Sequence, residues 1–463
     1  MIRLFRVSIP VGVFALLLSE VFLTSLCFFL AAYWYFESDL AIFLLDGGGL
    51  IRTMLVISSI ILGMYFLDLY TKIHVRSRSA LLQDLTQVIG MALLTQGLIA
   101  YASPSLRLGR QVMLIGTLGS LFVLFFWRQF YAHVLLDAVA RERILFVGSN
   151  QVVLEMADHI ASHAELGLSI AGYLVDGAVP GSLLTGAKVL GPVRDLRKIA
   201  EEVKPTRIVV GMTERRDRMP VPDLLELRFA GFTIEEAGTT YESVCGRVCT
   251  KELRPSQLIF SGELGPRRHS LWLQNILNIS VAIVAAAATV PVMLLVALLV
   301  KSTSRGPVFY RQSRVGKNGV PFVLYKFRSM RLDAEAETGA VWASKDDPRT
   351  TLVGKWLRRI RLDELPQFFN VLRGEMSLVG PRPERPEFVK TLTEKIPYYR
   401  QRHCVRPGIT GWAQVNHKYG DTVEDTITKL EYDLYYIKNL SPSLDAYIIF
   451  HTLKTIVLSR GSQ

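Results

Sequence analysis

Cysteine and histidine are scarce, with four and eight in 463 residues. Cys27, Cys245, Cys249 and Cys404 show neither metal-ligand spacing nor a disulfide framework, which excludes a zinc module or a disulfide-stapled secreted domain. They read as structural thiols in a reducing compartment. Acidic residues are also short, 41 against 53 basic, and the net charge of +12 points to anionic partners such as lipid headgroups, nucleotides and diphosphates. The basic residues are spread among loops beside apolar runs rather than gathered into one reader module, so nucleic acid is not the expected partner. A cleavable leader is not expected either: the first apolar run is too long and no small-residue cleavage site clearly follows it. Apolar residues are what the chain has in plenty. They make up half of it, which implies a membrane protein of more than one domain.

Four apolar runs lie at about 11–36, 51–70, 81–101 and 111–130. The first ends in an aromatic cluster, Tyr33, Trp34, Tyr35 and Phe36, and the fourth ends at Trp127 and Tyr131. The third is interrupted by Gln83, Asp84, Gln87 and Gln96, which predicts that these polar residues face neighbouring helices. Arg3, Arg6, Lys72, Arg76, Arg78, Arg128, Arg141 and Arg143 flank one side and Glu37, Asp39 and Asp46 the other, with Arg107 and Arg110 against the trend. The positive-inside rule then puts both ends of a four-helix region, 1–140, in the cytoplasm, with Asp68 and Asp84 near the cytoplasmic ends of their spans.

Residues 141–265 read as a soluble α/β domain. Strands are predicted at 143–148, 170–175 and 207–210, and helices run from the first strand to about His163 and over 193–203. Alternating strands and helices favour a small parallel sheet of Rossmann type. Gly148-Ser149-Asn150 does not extend to GxGxxG, so a regulatory or subunit-contact role is expected ahead of dinucleotide binding.

A fifth apolar stretch, 276–300, is long enough to cross a bilayer, yet both flanks are basic. Arg267 and Arg268 precede it, and Lys301, Arg305, Arg311, Arg314 and Lys317 follow. A crossing helix cannot satisfy the positive-inside rule on both sides. Pro291 removes a helical hydrogen bond, so a helix over 272–300 that bends there and returns to the same face resolves the conflict. An ordinary fifth span remains the alternative. Further on, Gly316 to Gly319 separates two apolar segments in a strand–turn–strand pattern, and 352–360 has the character of an amphipathic helix, with Trp356, Lys355, Arg358 and Arg359 suited to a membrane surface.

The densest chemistry lies at 358–385, RRIRLDELPQFFNVLRGEMSLVGPRPER. Asp363 and Glu364 stand between arginines, Pro366 suits the first turn of a helix, and Gly380-Pro381-Arg382-Pro383 forms a rigid turn that aims Arg382. A carboxylate nucleophile ringed by guanidinium groups is what phosphoryl transfer through an aspartyl phosphate needs. A surface helix with salt bridges is the plain alternative.

LDELPQ followed by GEMSLVGPRP resembles the catalytic core of the bacterial sugar transferases, the polyprenyl-phosphate glycosyl-1-phosphate transferases. The resemblance continues through VFYRQ (308–312), FVLYKFRSM (322–330), DDPR (346–349), VRPGITGWAQV (405–415) and EYDLYYI (431–437), and covers roughly 267–463. Arg361 departs from it, standing where many relatives carry a small polar residue. The resemblance implies a catalytic domain, 266–463, held by a re-entrant helix. It implies transfer of a sugar 1-phosphate from a UDP-sugar to undecaprenyl phosphate at the cytoplasmic face of the bacterial inner membrane, beginning exopolysaccharide, capsule or O-antigen repeat units. Asp363 would be the nucleophile, and Glu364, with Asp363, the ligand of Mg²⁺. Lys326, Arg328, Arg358, Arg382 and Arg406 would bind phosphates. Membrane lipid and a homodimer complete the expected partners. The whole is read as an α-helical membrane region, a Rossmann-like α/β cytoplasmic domain and an α/β membrane-associated catalytic domain.

Two other classes stay open at this stage. A non-catalytic membrane scaffold or sensor would use the dyad structurally. A membrane-anchored nucleotide-sugar dehydratase or epimerase would need GxGxxG and YxxxK, and 143–265 offers neither. His403 and His417 are read as structural.

Overall fold

Long apolar segments without proline form the N-terminal helices of the computed structural model: α1 (Val11–Phe36), α2 (Gly49–Phe66), α3 (Arg78–Ala102) and α4 (Arg110–Phe130). The structure describes residues 2–4, 7–71, 73, 77–135, 142–176, 188–212, 219–251, 268–331, 334, 349–417 and 422–458. Lys72, Arg76, Arg141, Arg267 and the Asp346-Asp347-Pro348 segment lie outside them. The chain divides into two compact units, Met1–Arg3 with Ser8–Thr240, and Leu4–Val7 with Tyr241–Gln463.

In the first unit each apolar helix buries one stripe and exposes the rest. On α1 the stripe is Gly12, Leu16, Glu20, Thr24 and Phe28, four residues apart, while Phe22 and Trp34 face outward. Gly116 of α4 packs where a Cβ would lie 2.4 Å from the Phe28 ring, so glycine sets the approach of α1 to α4. All four helices are long and apolar enough to cross a membrane.

Two expectations are corrected here. Of the polar residues on α3 only Gln96 is buried, donating to Ser59 Oγ at 3.2 Å. Gln83 and Gln87 are exposed and Asp84 is half-buried, because the buried stripe of α3 runs through Leu81, Leu85, Val88, Ala92 and Gln96. Arg128, counted above as a flanking charge, is buried inside the bundle. Its Nε lies 2.6 Å from Glu20 Oε1, its Nη1 donates to Leu69 O at 2.9 Å, and the two side chains are 4% and 0% exposed. A charge so deep is stable only when paired and hydrogen-bonded.

The α/β part of this unit is a five-stranded parallel sheet: β1 (Glu142–Val147), β2 (Leu168–Leu174), β3 (Val189–Gly191), β4 (Arg207–Val210) and β5 (Thr233–Glu236), in the order β3-β2-β1-β4-β5. Helices α5 (Gln151–Ser162), α6 (Leu196–Val203) and α7 (Val221–Phe229) connect the strands. β3 and β5 escaped the sequence reading because both are short edge strands without a buried apolar run. Gly148, at φ +97°, packs where a Cβ would come within 2.3 Å of Gly211 O, which brings the loops after β1 and β4 together.

The second unit is built on α8 (Arg268–Thr303), helical on both sides of Pro291. Its buried stripe, Gln274, Asn278, Ala282, Ala286, Met293, Val296 and Val300, faces the rest of the unit, and apolar residues such as Ile283, Val284, Leu294 and Leu298 are exposed. The antiparallel hairpin β6 (Phe309–Val315) and β7 (Pro321–Phe327) pairs Tyr310 with Lys326 across the expected glycine turn. Then come α9 (Leu352–Arg359), α10 (Gln367–Leu372) and two short parallel strands, β8 (Ser377–Val379) and β9 (Gly408–Thr410). Two C-terminal helices follow, α11 (Val423–Lys438) and α12 (Pro442–Val457). The segment 241–250 is part of this unit: buried Glu431 of α11 accepts from Thr250 N at 3.0 Å and from Tyr241 Oη at 3.3 Å.

Candidate active site

The dyad is placed by a sharp exit from α9. Thr351 caps that helix, its Oγ1 accepting from Gly354 N at 3.0 Å, and Leu357 is packed with Val296 and Phe327. Arg361 ends it in the left-handed conformation at φ +59°, a role usually taken by glycine or asparagine. The chain then makes a single 3₁₀ turn, Leu362–Glu364, just ahead of α10. Asp363 and Glu364 are therefore carried by a tight turn, 7% and 9% exposed, and not by a long helix.

Glu364 is the electrostatic hub. Its Oε1 accepts from Lys326 Nζ at 2.7 Å and from Arg382 Nη2 at 2.9 Å, and its Oε2 lies 4.0 Å from Arg361 Nη1. Burial alone would raise this carboxyl, yet Lys326, Arg382 and Arg361 together hold it far below the usual carboxylate range. Asp363 is shifted oppositely, to about 6. Burial raises it and the Glu364 charge adds to this, against the pull of Lys326, Arg358 and Arg382. Two adjacent carboxyls thus have different electrostatic characters, one firmly anionic and one titrating near neutrality.

Arg382 is aimed by a loop with two prolines. β8 and β9 run so close at this point that a Cβ on Gly380 would lie 2.4 Å from Arg406 O, and one on Gly408 only 2.1 Å from Gly380 N. Glycine at both positions is what lets the two chains approach so closely.

The remaining predicted phosphate ligands fall in different places. Lys326 and Arg382 meet at Glu364, and Arg358 is a charged neighbour of Asp363. Arg328, just past the end of β7, donates to Ser304 O and Arg305 O, each at 2.9 Å, and to Ser304 Oγ at 2.6 Å. It therefore clamps the end of α8. Arg406 donates to Asn275 Oδ1 in the first third of α8 at 2.6 Å. Sequence reasoning missed Gln274, Asn278, Tyr436 and Asp445, which join α8 to the site. Gln274 Nε2 donates to Asp445 Oδ2 at 2.6 Å and to Tyr436 Oη at 2.8 Å, Tyr436 Oη donates to Val379 O at 3.1 Å, and Asn278 Oδ1 accepts from Leu378 N at 3.3 Å. Polar residues inside an apolar helix were the available signal for Gln274 and Asn278.

The donor set fits one hard divalent cation. Glu364 Oε2 and the Asp363 carboxylate are the oxygens left over from the Lys326 and Arg382 bonds, and Mg²⁺ takes one or two carboxylates and completes its shell with substrate phosphates and water. Among the described residues no cluster of three or more His, Cys, Asp or Glu offers an all-protein cage.

Comparison with known proteins places this geometry in a family. A model described as bacterial sugar transferase matches residues 269–459, which contain the dyad, the cations around it and most of α8. A UDP-N-acetylgalactosamine-undecaprenyl-phosphate N-acetylgalactosaminephosphotransferase of Aeromonas hydrophila is 47% identical over 222 residues, 48% of this chain and 52% of that protein. The match thus spans about half the length of that relative. A UDP-glucose:undecaprenyl-phosphate glucose-1-phosphate transferase of Xanthomonas campestris pv. campestris is 33% identical over 346 residues, 70% of this chain and 68% of that one. The exopolysaccharide production protein PSS of Rhizobium leguminosarum bv. phaseoli is 42% identical over 196 residues, 41% of this chain and 98% of its own length. With the catalytic half matched nearly end to end and a longer relative matched over two thirds of its length, this chain belongs to the bacterial sugar transferase family.

Proposed function

We propose that this chain transfers a sugar 1-phosphate from a UDP-sugar to undecaprenyl phosphate, releasing UMP and starting a surface-polysaccharide repeat unit. The observation that carries the reading is the division of labour in the dyad: Glu364 collects Lys326 and Arg382, while the neighbouring buried Asp363 has a carboxyl that titrates at about 6. The names of the relatives support the substrates.

In the first step an Asp363 oxygen attacks the phosphorus that bears the sugar. The bond from that phosphorus to the bridging oxygen breaks, and UMP leaves with the electron pair. In the second step a phosphate oxygen of undecaprenyl phosphate attacks the same phosphorus, the acyl-phosphate bond breaks, and Asp363 returns as a carboxylate. Lys326 and Arg382, which meet at Glu364, would hold charge on the transferred phosphoryl group, and Arg358 would favour the ionised nucleophile. Mg²⁺, held by Glu364 and Asp363, would neutralise diphosphate charge.

We read α8 as re-entrant and the catalytic unit as cytoplasmic. Gln274 and Val300 are both packed on the unit although about 39 Å of helix separates them if it is straight, more than the roughly 30 Å hydrocarbon core. A crossing helix would put those two contacts on opposite sides of the membrane. The four N-terminal helices would have both ends in the cytoplasm, and the parallel sheet, with its order β3-β2-β1-β4-β5, is assigned to the Rossmann type with a regulatory or subunit-contact role.

The test uses full-length protein in nanodiscs with Mg²⁺, undecaprenyl phosphate and a panel of UDP-sugars. UMP release with one donor, abolished in Asp363→Asn, is expected. Donor labelled in the sugar phosphate should leave label on wild-type protein when acceptor is omitted, and none on the variant. Folded wild-type protein that releases no UMP from any donor would refute the reading and favour a scaffold.

A further inference from the structure

The loop that aims Arg382 cannot organise itself. Pro381 and Pro383 have no N–H to donate, and residues 380–385 lie in no helix or strand. Its carbonyls are instead held from outside, one after another. Gly408 N donates to Pro381 O at 2.9 Å, Arg402 Nη2 to Arg382 O at 3.0 Å, Arg314 Nη1 to Pro383 O at 3.0 Å, and Val315 N to Glu384 O at 2.9 Å.

Arg402 is the member of this series that reaches the backbone of Arg382 itself. It is buried, and the same Nη2 lies 2.8 Å from Asp433 Oδ2 on α11, whose side chain is 2% exposed. Its Nη1 donates to Tyr399 Oη at 2.6 Å, and the guanidinium carbon lies 5.1 Å from the centre of the Tyr399 ring. A buried ion pair adds little net stability over an apolar pair of the same size, so stability alone does not account for one here. The fork does have a directional use. Tyr399 holds its Nη1 and Asp433 pairs with its Nη2, and that same Nη2 donates to the carbonyl of the residue whose side chain meets Glu364 at 2.9 Å.

We infer that Arg402 and Asp433 are positioning residues for the transfer: Asp433 orients the Arg402 guanidinium, which fixes the Arg382 backbone so that its side chain reaches Glu364 and the substrate phosphate. The inference rests on the transferase reading for its kinetic consequence and on geometry alone for its structural one. Phosphoryl transfer is sensitive to placement, and an error of about 1 Å in a charged clamp can cost about 100-fold in rate.

The experiment compares full-length wild type, Arg402→Met, Arg402→Lys and Asp433→Asn in nanodiscs. Lys438→Met, which breaks the α11 ion pair to Glu242, is the control for general destabilisation. Hydrogen exchange is followed in peptides covering 377–385, alongside UMP release. Faster exchange there in Arg402→Met and Asp433→Asn, but not in Lys438→Met, is expected. With it kcat should fall about 10- to 100-fold while the donor KM stays within about threefold. Arg402→Lys, which keeps a charged donor, should recover part of the kcat. Unchanged exchange and kcat in folded Arg402→Met overturn the inference, as does an equal loss in Lys438→Met. Should Arg402→Met fail to fold, Asp433→Asn is judged by the same criteria. If wild type releases no UMP from any donor, the transferase reading fails, and the exchange difference still decides whether the pair holds the loop.

Discussion

Replacing Lys326 by methionine removes a charge while keeping most of the side-chain volume, and its effect on Asp363 is calculable in direction. Lys326 is the largest of the attractive charges opposing the effect of burial on Asp363, and it also donates to Glu364. Without it the ionised Asp363 loses its main counter-charge and faces a less neutralised Glu364, so both changes push the Asp363 carboxyl upward. A single opposite charge near a carboxylate lowers its pKa by about 1–3 units. Lys326 is 20% exposed, and Arg358 and Arg382 remain, so the lower half of that range applies. The acid limb of kcat/KM, expected at about 6 in wild type, should move up by about 1–2 pH units. At pH 7 the ionised fraction would drop from about 0.9 to about 0.1–0.5, so roughly two- to tenfold of the loss is regained by about pH 9, beneath a pH-independent loss from the missing charge on the phosphoryl group. The profile is measured as UMP release from pH 5 to pH 10, with melting temperatures taken at each pH. A limb that stays near 6 or moves down would refute the assignment of Asp363 as the titrating nucleophile. A loss that does not recover at high pH belongs to phosphate binding.

Two further changes probe the scaffold. Glu20→Gln leaves Arg128 buried without its counter-charge and should destabilise the helical bundle by about 3–5 kcal/mol, read by unfolding in detergent; Glu20→Gln with Arg128→Met should recover most of the loss. Gly380→Ala drives a methyl against Arg406 O, so activity should fall by at least tenfold with a lower melting temperature, because backbone must shift beside Arg382. Full activity in that variant would show that the close approach of β8 and β9 does not set the loop.

What could be read in the sequence was what periodicity, breakers and local density announce. The apolar runs gave α1 to α4 within a few residues, the Gly316–Gly319 turn gave the hairpin, and the arginine-rich block around Asp363 contains the residues that the fold gathers with Lys326 around Glu364. Pairs distant in sequence were not legible. Glu20 and Arg128 are 108 positions apart, and Arg128 counts as a loop charge until a folded bundle encloses it. Arg328 and Arg406 looked equivalent to Arg382 because the residue type and its sequence neighbours carry no information about which way a basic side chain points. Only the folded chain shows that Arg328 closes the end of α8 and that Arg406 reaches Asn275. The Asp433–Arg402 pair was hidden for the same reason: Asp433 sits in a tyrosine-rich helix whose pattern announces packing.

The helix α8 is more than an anchor, since the catalytic unit uses it as an interior wall. Ala282 belongs to the same apolar core as Leu324, Leu378 and Tyr435, and Val296 and Val300 pack on Phe327 and Leu357. Cutting the chain after Thr303 would lay these residues bare and leave Arg406, Tyr436, Asp445 and the Leu378 amide without their bonds to Asn275, Gln274 and Asn278. Trimming α8 away would therefore remove part of the unit's own core: the apolar helix and the fold it supports are one packed body.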